Sequence, residues 1–252
     1  MPSPETRPPP PVRLAADGTG ISHRGQVRAV NEDAILTDPT GALWVVADGL
    51  GGLGHGEVAA DIVVEAFARL PHGAAGRSAL QDAIAAAHAE IRRRARAGGL
   101  GPMGATIAVA AIDGGRATLA RAGDSRVYHW RDGELVRLTR DHSQVQELVD
   151  AGTLDPSEAD GHPQANVVTR AVGAEQRVEP EFREIGLCAD DRLLLCSDGL
   201  TRCVTDAGIA ALLAGFPAPE AACRGLVEAA LARGAPDNVS AVVVRIARAE
   251  TP

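Results

Sequence analysis

The chain has 252 residues, 45% of them hydrophobic, and a formal net charge of -8, which is enough apolar material for one large α/β domain. That acidic balance, with only 2% aromatic residues, argues against nucleic-acid binding, which needs cations for phosphates and rings for stacking. Lysine is absent and every basic residue is arginine, which excludes a P-loop, a protein kinase and Schiff-base chemistry, since each needs an amine.

Residues 1–16 are Pro-rich and lack the apolar core of a signal peptide, so they are read as a disordered tail of polyproline character. Residues 17–248 are read as a single domain. No apolar run approaches the roughly 20 residues of a membrane span. The four cysteines (Cys188, Cys196, Cys203, Cys223) form no CxxC pair, as expected of reduced thiols in the cytoplasm.

In chain order, Ala42 to Asp48 predicts a buried strand that opens into a glycine-rich loop, Gly49 to Gly56. Val58, Ile62, Val63, Ala66, Phe67 and Leu70 then fall on one helical face. Ser78 with Gln81 predicts a capping box for a second helix, which Gly98 and Gly99 end. Strands are expected over 105–112, 117–122, 127–130 and 135–138, with hairpins at Asp113-Gly-Gly and Asp132-Gly133. Residues 141–173 are mixed and polar, with one short helix near 145–151, and are read as a surface insertion. A strand at 192–196, two helices over 206–233 and a closing strand at 241–247 complete the pattern. Hairpin-linked strands interrupted by helix pairs suggest stacked antiparallel sheets flanked by helices.

Three aspartates stand where apolar strands run out, in Asp48-Gly49, Asp198-Gly199 and Asp237-Asn238. Asp124 ends another strand in Gly-Asp-Ser-Arg, and Glu32-Asp33 closes Arg28-Ala-Val-Asn-Glu-Asp. Each alone is ordinary turn chemistry. Together they put like charges beside core strands, which is costly unless cations neutralise them. Oxygen ligands with no Cys/His set favour Mg2+ or Mn2+ over zinc.

Seven stretches occur in order over roughly residues 20–246: Ser-His-Arg-Gly-Gln-Val-Arg28-Ala-Val-Asn-Glu32-Asp33, Val-Val-Ala-Asp48-Gly49-Leu-Gly-Gly, Ala-Gly-Asp124-Ser-Arg126-Val-Tyr, Leu-Thr-Arg-Asp141-His142-Ser, His162-Pro-Gln-Ala-Asn166-Val-Val-Thr-Arg170-Ala-Val-Gly, Leu-Leu-Cys-Ser-Asp198-Gly199-Leu and Pro-Asp237-Asn238-Val-Ser. In this the chain resembles the metal-dependent serine/threonine protein phosphatases of type 2C (PPM), specifically their compact bacterial members. The resemblance implies an α+β fold, with a central sandwich of two mostly antiparallel sheets between helix pairs in α-β-β-α layers.

It also implies two Mn2+ or Mg2+ ions, with Asp48 bridging them, the Gly49 carbonyl on one and Asp198 and Asp237 on the other. Glu32 and Asp33 would hold metal-bound water, Arg28 would grip the phosphate, and Asp33 joins Arg28 among the catalytic residues. A hydroxide activated between the ions would then attack phosphorus without a covalent intermediate. Asp124 matches a ligand of a third, weaker metal. Residues 141–173 correspond to a flap beside the site, with His142, Asn166 and Arg170 governing substrate access. The implied partners are phosphorylated proteins, substrates of a Ser/Thr kinase, with no nucleic acid and no membrane, acted on by a monomer.

The chain departs from the family twice. Arg202 stands where relatives often carry a further acid, and a cation there repels a third metal. Leu50 follows the bridging Asp-Gly where some relatives have histidine, so a leaving-group donor falls to His55 or to metal-bound water.

Overall fold

The structure, a computed structural model, describes residues 13–249 apart from 72, 74, 75, 100 and 160 and the side chain of Leu53. Three strands come first, β1 (Leu14–His23), β2 (Asp33–Thr37) and β3 (Leu43–Gly49), followed by helices α1 (Gly56–Ala68) and α2 (Arg77–Ala97). Next come two hairpins, β4 (Ala105–Asp113) with β5 (Arg116–Ala122) and β6 (Arg126–Arg131) with β7 (Glu134–Arg137), leading to α3 (Gln144–Asp150). The strands β8 (Glu181–Gly186) and β9 (Arg192–Cys196) precede α4 (Asp198–Thr201), α5 (Asp206–Gly215) and α6 (Pro219–Leu231). The chain closes with β10 (Val239–Arg248).

All strand pairs are antiparallel and form two five-stranded sheets, ordered β1-β10-β9-β6-β7 and β2-β3-β4-β5-β8. The central strands read as unbroken apolar runs because both of their faces are covered. In β4, Ile107, Val109 and Ala111 pack under α1 and α2, while Ala108, Ala110 and Ile112 point into the space between the sheets. In β9 and β10, Leu194, Cys196, Ala241 and Val243 face α5 and α6, and Leu193, Leu195, Val242 and Val244 face the other sheet. This strict alternation follows from the two-residue period of a strand. The α-β-β-α layering expected from the sequence is therefore present.

Local chemistry explains the connections. Asp132 and Gly133 have φ of 53° and 87°, the left-handed pair that a tight β6–β7 hairpin requires. In α2, Leu80, Ala83, Ile84, Ala87 and Ile91 recur at helical spacing and are buried. The expected capping box at Ser78 does not form. The N-cap is Gly76, with no side-chain cap, and Ser78 lies inside the first turn. The expected tail also ends earlier, since β1 begins at Leu14, paired with Arg248. The rest of that stretch, residues 1–12, lies outside the described residues. Strands β1, β2 and β8 and helix α4 were not expected, because they are short or only partly buried. Among the described residues no helix is long and apolar enough to cross a membrane.

The space between the sheets is packed by Trp44, Val46, Leu195, Val242 and Val244. Leu195→Ala is expected to lower unfolding free energy by about 3 kcal/mol, measured by urea denaturation at unchanged m-value. A loss below about 1 kcal/mol would show that this layer is loosely packed.

Candidate metal centre

Strand pairing delivers the acids to one end of the sandwich. Asp33, the first residue of β2, lies opposite Asp48 of β3, which in turn lies opposite Thr106 of β4. Asp124 and Asp198 each lie two residues beyond a strand end, and Asp237 two residues before one. Because β9 and β10 pair antiparallel, with Cys196 opposite Ala241, Asp198 and Asp237 leave the sheet side by side. A Cβ at Gly199 would fall 1.9 Å from the Asn238 carbonyl oxygen, so glycine is needed for α4 to pack this closely. Gly123 has φ of +110°, and a Cβ there would meet the Thr106 Cβ at 2.3 Å. Glycine thus lets the backbone turn Asp124 in against β4.

Asn238 ties the Arg28 loop to this end of the sheet. Its Nδ2 donates to the carbonyls of Arg24 and Val30, each at 2.9 Å, and its Oδ1 accepts from the Glu32 N–H at 2.8 Å. As a result Arg28, Glu32, Asp48, Gly49, Asp124, Asp198, Arg202 and Asp237 line one cavity of about 610 Å3, together with Asn166 and Arg170 of the flap.

Two expected site residues stand behind this wall. Asp33 is buried, and its Oδ2 accepts from the hydroxyls of Ser197 at 2.8 Å and Ser240 at 2.6 Å. Its Oδ1 is buried with no hydrogen-bond partner among the described residues. His142 accepts at Nδ1 from the Gly123 N–H (3.1 Å), and its Nε2 lies 2.9 Å from Glu181 Oε1. Burial lowers its pKa. It is a brace between β8 and the turn that carries Asp124, not a group facing substrate. His55 also lies outside the cavity lining, 3.7 Å from Glu57, with φ of 56°. Sequence reading missed Ser197 and Ser240. Their only signal was a small hydroxyl near a strand-end acid, Ser197 next to Asp198 and Ser240 three residues after Asp237.

Burial and mutual repulsion dominate the electrostatics. Desolvation, reinforced by the Asp33, Asp198, Asp124 and Asp237 charges, raises Asp48 well above the usual carboxylate range. Desolvation pushes Asp33 up to about 7, against the lowering effect of its two serine bonds, and pushes Asp124 up to about 8. Asp198 is raised by desolvation and by Asp237, and Arg202 opposes the rise. Dehydrated oxygens that repel one another, one of them without a donor, fit hard divalent cations. Among the described residues, no histidine or cysteine lines the cavity.

Among the described residues, no three acidic, histidine or cysteine side chains gather closely enough to hold one ion as they stand. Arginines stand against two of the acids instead. Arg28 Nη2 is 2.8 Å from Asp237 Oδ2, while Arg202 pairs with Asp198 and lies 3.8 Å from Asp237. Asp48, the Gly49 carbonyl, Asp198 and Asp237 are thus the donors that would hold metal, with Arg202 as an internal competitor.

Two outcomes follow. With chelator, Asp33 and Asp124 keep protons in the folded chain that unfolded aspartates lose near pH 4. Stability should therefore fall as pH rises from 5 through about 7 and 8, the values for these two groups. Denaturation at pH 5.5 and 8 checks this, and a rise over that range would refute it. Calorimetry should show Arg202→Asp binding Mn2+ at least about tenfold more tightly than wild type, about 1.4 kcal/mol. Equal affinities would end the case for competition.

Comparisons place the chain among known proteins. A sequence model described as protein phosphatase 2C matches residues 19–233. The serine/threonine protein phosphatase PstP of Mycobacterium tuberculosis is 41% identical over 229 residues, which cover 89% of this chain. The match spans 44% of that relative's length. PppA, a regulatory component of the type VI secretion system in Pseudomonas aeruginosa, superposes with a TM-score of 0.84 at 39% identity, covering 92% of this chain and 99% of that one. The catalytic domain of PstP in complex with two manganese ions gives a TM-score of 0.84 at 36% identity, covering 93% and 99%. On this evidence the chain belongs to the protein phosphatase 2C family.

Proposed function

We propose that this chain hydrolyses phosphoserine and phosphothreonine esters on proteins, with two Mn2+ or Mg2+ ions held by Asp48, the Gly49 carbonyl, Asp198 and Asp237. The observation that carries the reading is the convergence of these donors with Arg28 around one cavity. Relatives named as serine/threonine phosphatases, one of them with two manganese ions, support it. Bound there, the ions supply a nucleophile from water and offset charge growing on the phosphoryl group.

The chain's own residues do the rest. Arg28 sits at the cavity mouth with 46% of its side chain exposed, and its planar fork can grip two phosphate oxygens once it leaves Asp237. Glu32 is held by the Gly56 N–H at 3.2 Å, which fixes its carboxylate at the cavity edge. Asp33, locked by two serines behind Asp48, acts by positioning. Asn166 and Arg170 form the flap side of the cleft.

The mouth is open, and Val27 and Val30 beside Arg28 are 70% and 55% exposed. That suits an ester on a protein surface better than a small metabolite, which calls for enclosure. The substrates are therefore products of a Ser/Thr kinase, and the reaction reverses that kinase's action. Four unpaired cysteines, two of them buried, suit the reducing cytoplasm.

With Mn2+ the protein should hydrolyse a chromogenic phosphate ester and a phosphothreonine peptide, and prefer the peptide to a sugar phosphate. Chelator or Asp48→Asn should abolish both activities. Arg28→Ala should lower kcat/KM on the peptide about thirtyfold, about 2 kcal/mol for a charged hydrogen-bond pair. Activity that survives chelator would overturn the reading.

A further inference from the structure

Arg170 lines the carboxylate cavity, and its Nη1 lies 3.2 Å from Glu181 Oε1. Glu181 in turn lines a second groove, of about 540 Å3. One ion pair therefore separates the two concavities.

The second groove is basic in a chain of net charge -8. Arg121, Arg137, Arg140 and Arg183 line it, and among the described residues Glu181 is its one acid. Two of these arginines are committed, Arg121 to Glu181 at 2.5 Å and Arg140 to Asp150. The other two have donors to spare. Arg183 donates through Nη1 to the Leu138 carbonyl at 3.0 Å and has no ion pair among the described residues. Arg137 donates to Gln146 at 3.3 Å and stands 3.8 Å from Asp141. Strands β5, β7 and β8 and the loop after β7 hold these cations together although they repel one another, and their surplus charge faces a concave surface. Such a surface attracts carboxylates and speeds their arrival. The aromatic ring in the lining, Phe182, packs on the core and already carries the Arg77 guanidinium 4.7 Å from its centroid, so it is a poor platform for a base and an acidic polypeptide fits the groove better than nucleic acid.

We propose that this groove binds acidic residues flanking the phosphorylated residue of a protein substrate, which makes Arg137 and Arg183 specificity determinants. The inference rests on the phosphatase reading. A chain whose phosphoresidue meets Arg28 passes over the Arg170–Glu181 pair into the groove, where its carboxylates meet the spare donors of Arg137 and Arg183.

The test uses 15-residue peptides with a central threonine and flanks of either glutamate or glutamine. Fluorescence anisotropy on the full chain with the unphosphorylated pair reads docking without turnover. The glutamate peptide should bind at least about tenfold tighter at low salt, and high salt should shrink that preference. Arg137→Gln/Arg183→Gln should bind the two peptides alike, whereas the double lysine variant should retain a preference. The phosphothreonine versions with Mn2+ should show the same order in kcat/KM. Equal binding of both peptides by wild type, or a preference that survives the glutamine variant, would overturn the proposal. Docking preference without hydrolysis of either phosphopeptide would support acid recognition and strike the phosphatase reading alone.

Discussion

The constraint on which the structure depends is the dehydration of like charges. Asp33, Asp48, Asp124 and Asp198 are all raised above the usual carboxylate range, with desolvation as the leading cause. Taking an ion out of water costs several kcal/mol after relaxation, and a whole domain is stable by only about 5–15 kcal/mol. The acids can sit together because three apolar clusters stabilise the sandwich and because arginines and serine hydroxyls oppose the repulsion. Protons held by Asp33 and Asp124 meet part of the deficit at low pH, and divalent ions would meet it at higher pH.

The sandwich makes this arrangement rigid. Asp33 and Asp48 share a register position, so neither can drift without unzipping β2 from β3. The flap is tied in a different way. Arg126 grips Asp141 through two nitrogens at 2.6–3.1 Å, and isolated bridges join Ser143 to Val168 and Ala105 to Val172. Both ends of the insertion are thus pinned to the sheets, while its middle carries Asn166 into the cleft. In the proposed function the scaffold would set the chemistry and the insertion the approach.

Much of this was legible in the sequence, for physical reasons. Central strands buried on both faces give apolar runs, and turns that need positive φ give Asp-Gly pairs, as at Asp132-Gly133. Strand-end acids stood out against those runs. The weak signals came from elements that are half-solvated. In strand β8 Phe182 and Ile185 are half-buried and the other four residues are exposed, and β2 is only five residues long. Long-range pairings were invisible for another reason. Nothing local to Arg28 points to Asp237, 209 positions away, and nothing in Asp-His-Ser says that His142 spans from Gly123 to Glu181. The Ser78-x-x-Gln81 pattern misled because Gly76, already extended, starts the helix two residues earlier.

Asn238 has one more implication, for biosynthesis. Its side chain reaches Arg24, Val30 and Glu32 across more than 200 positions, and β1 closes its sheet only against β10. Contacts this distant form late, because the intervening chain must first be ordered. A nascent polypeptide can hold its N-terminal acids on β2 and β3 and still lack the fixed Arg28 loop, the proposed seat for a phosphate, until the segment around Asn238 has left the ribosome. Translation itself would then keep the half-made protein inert.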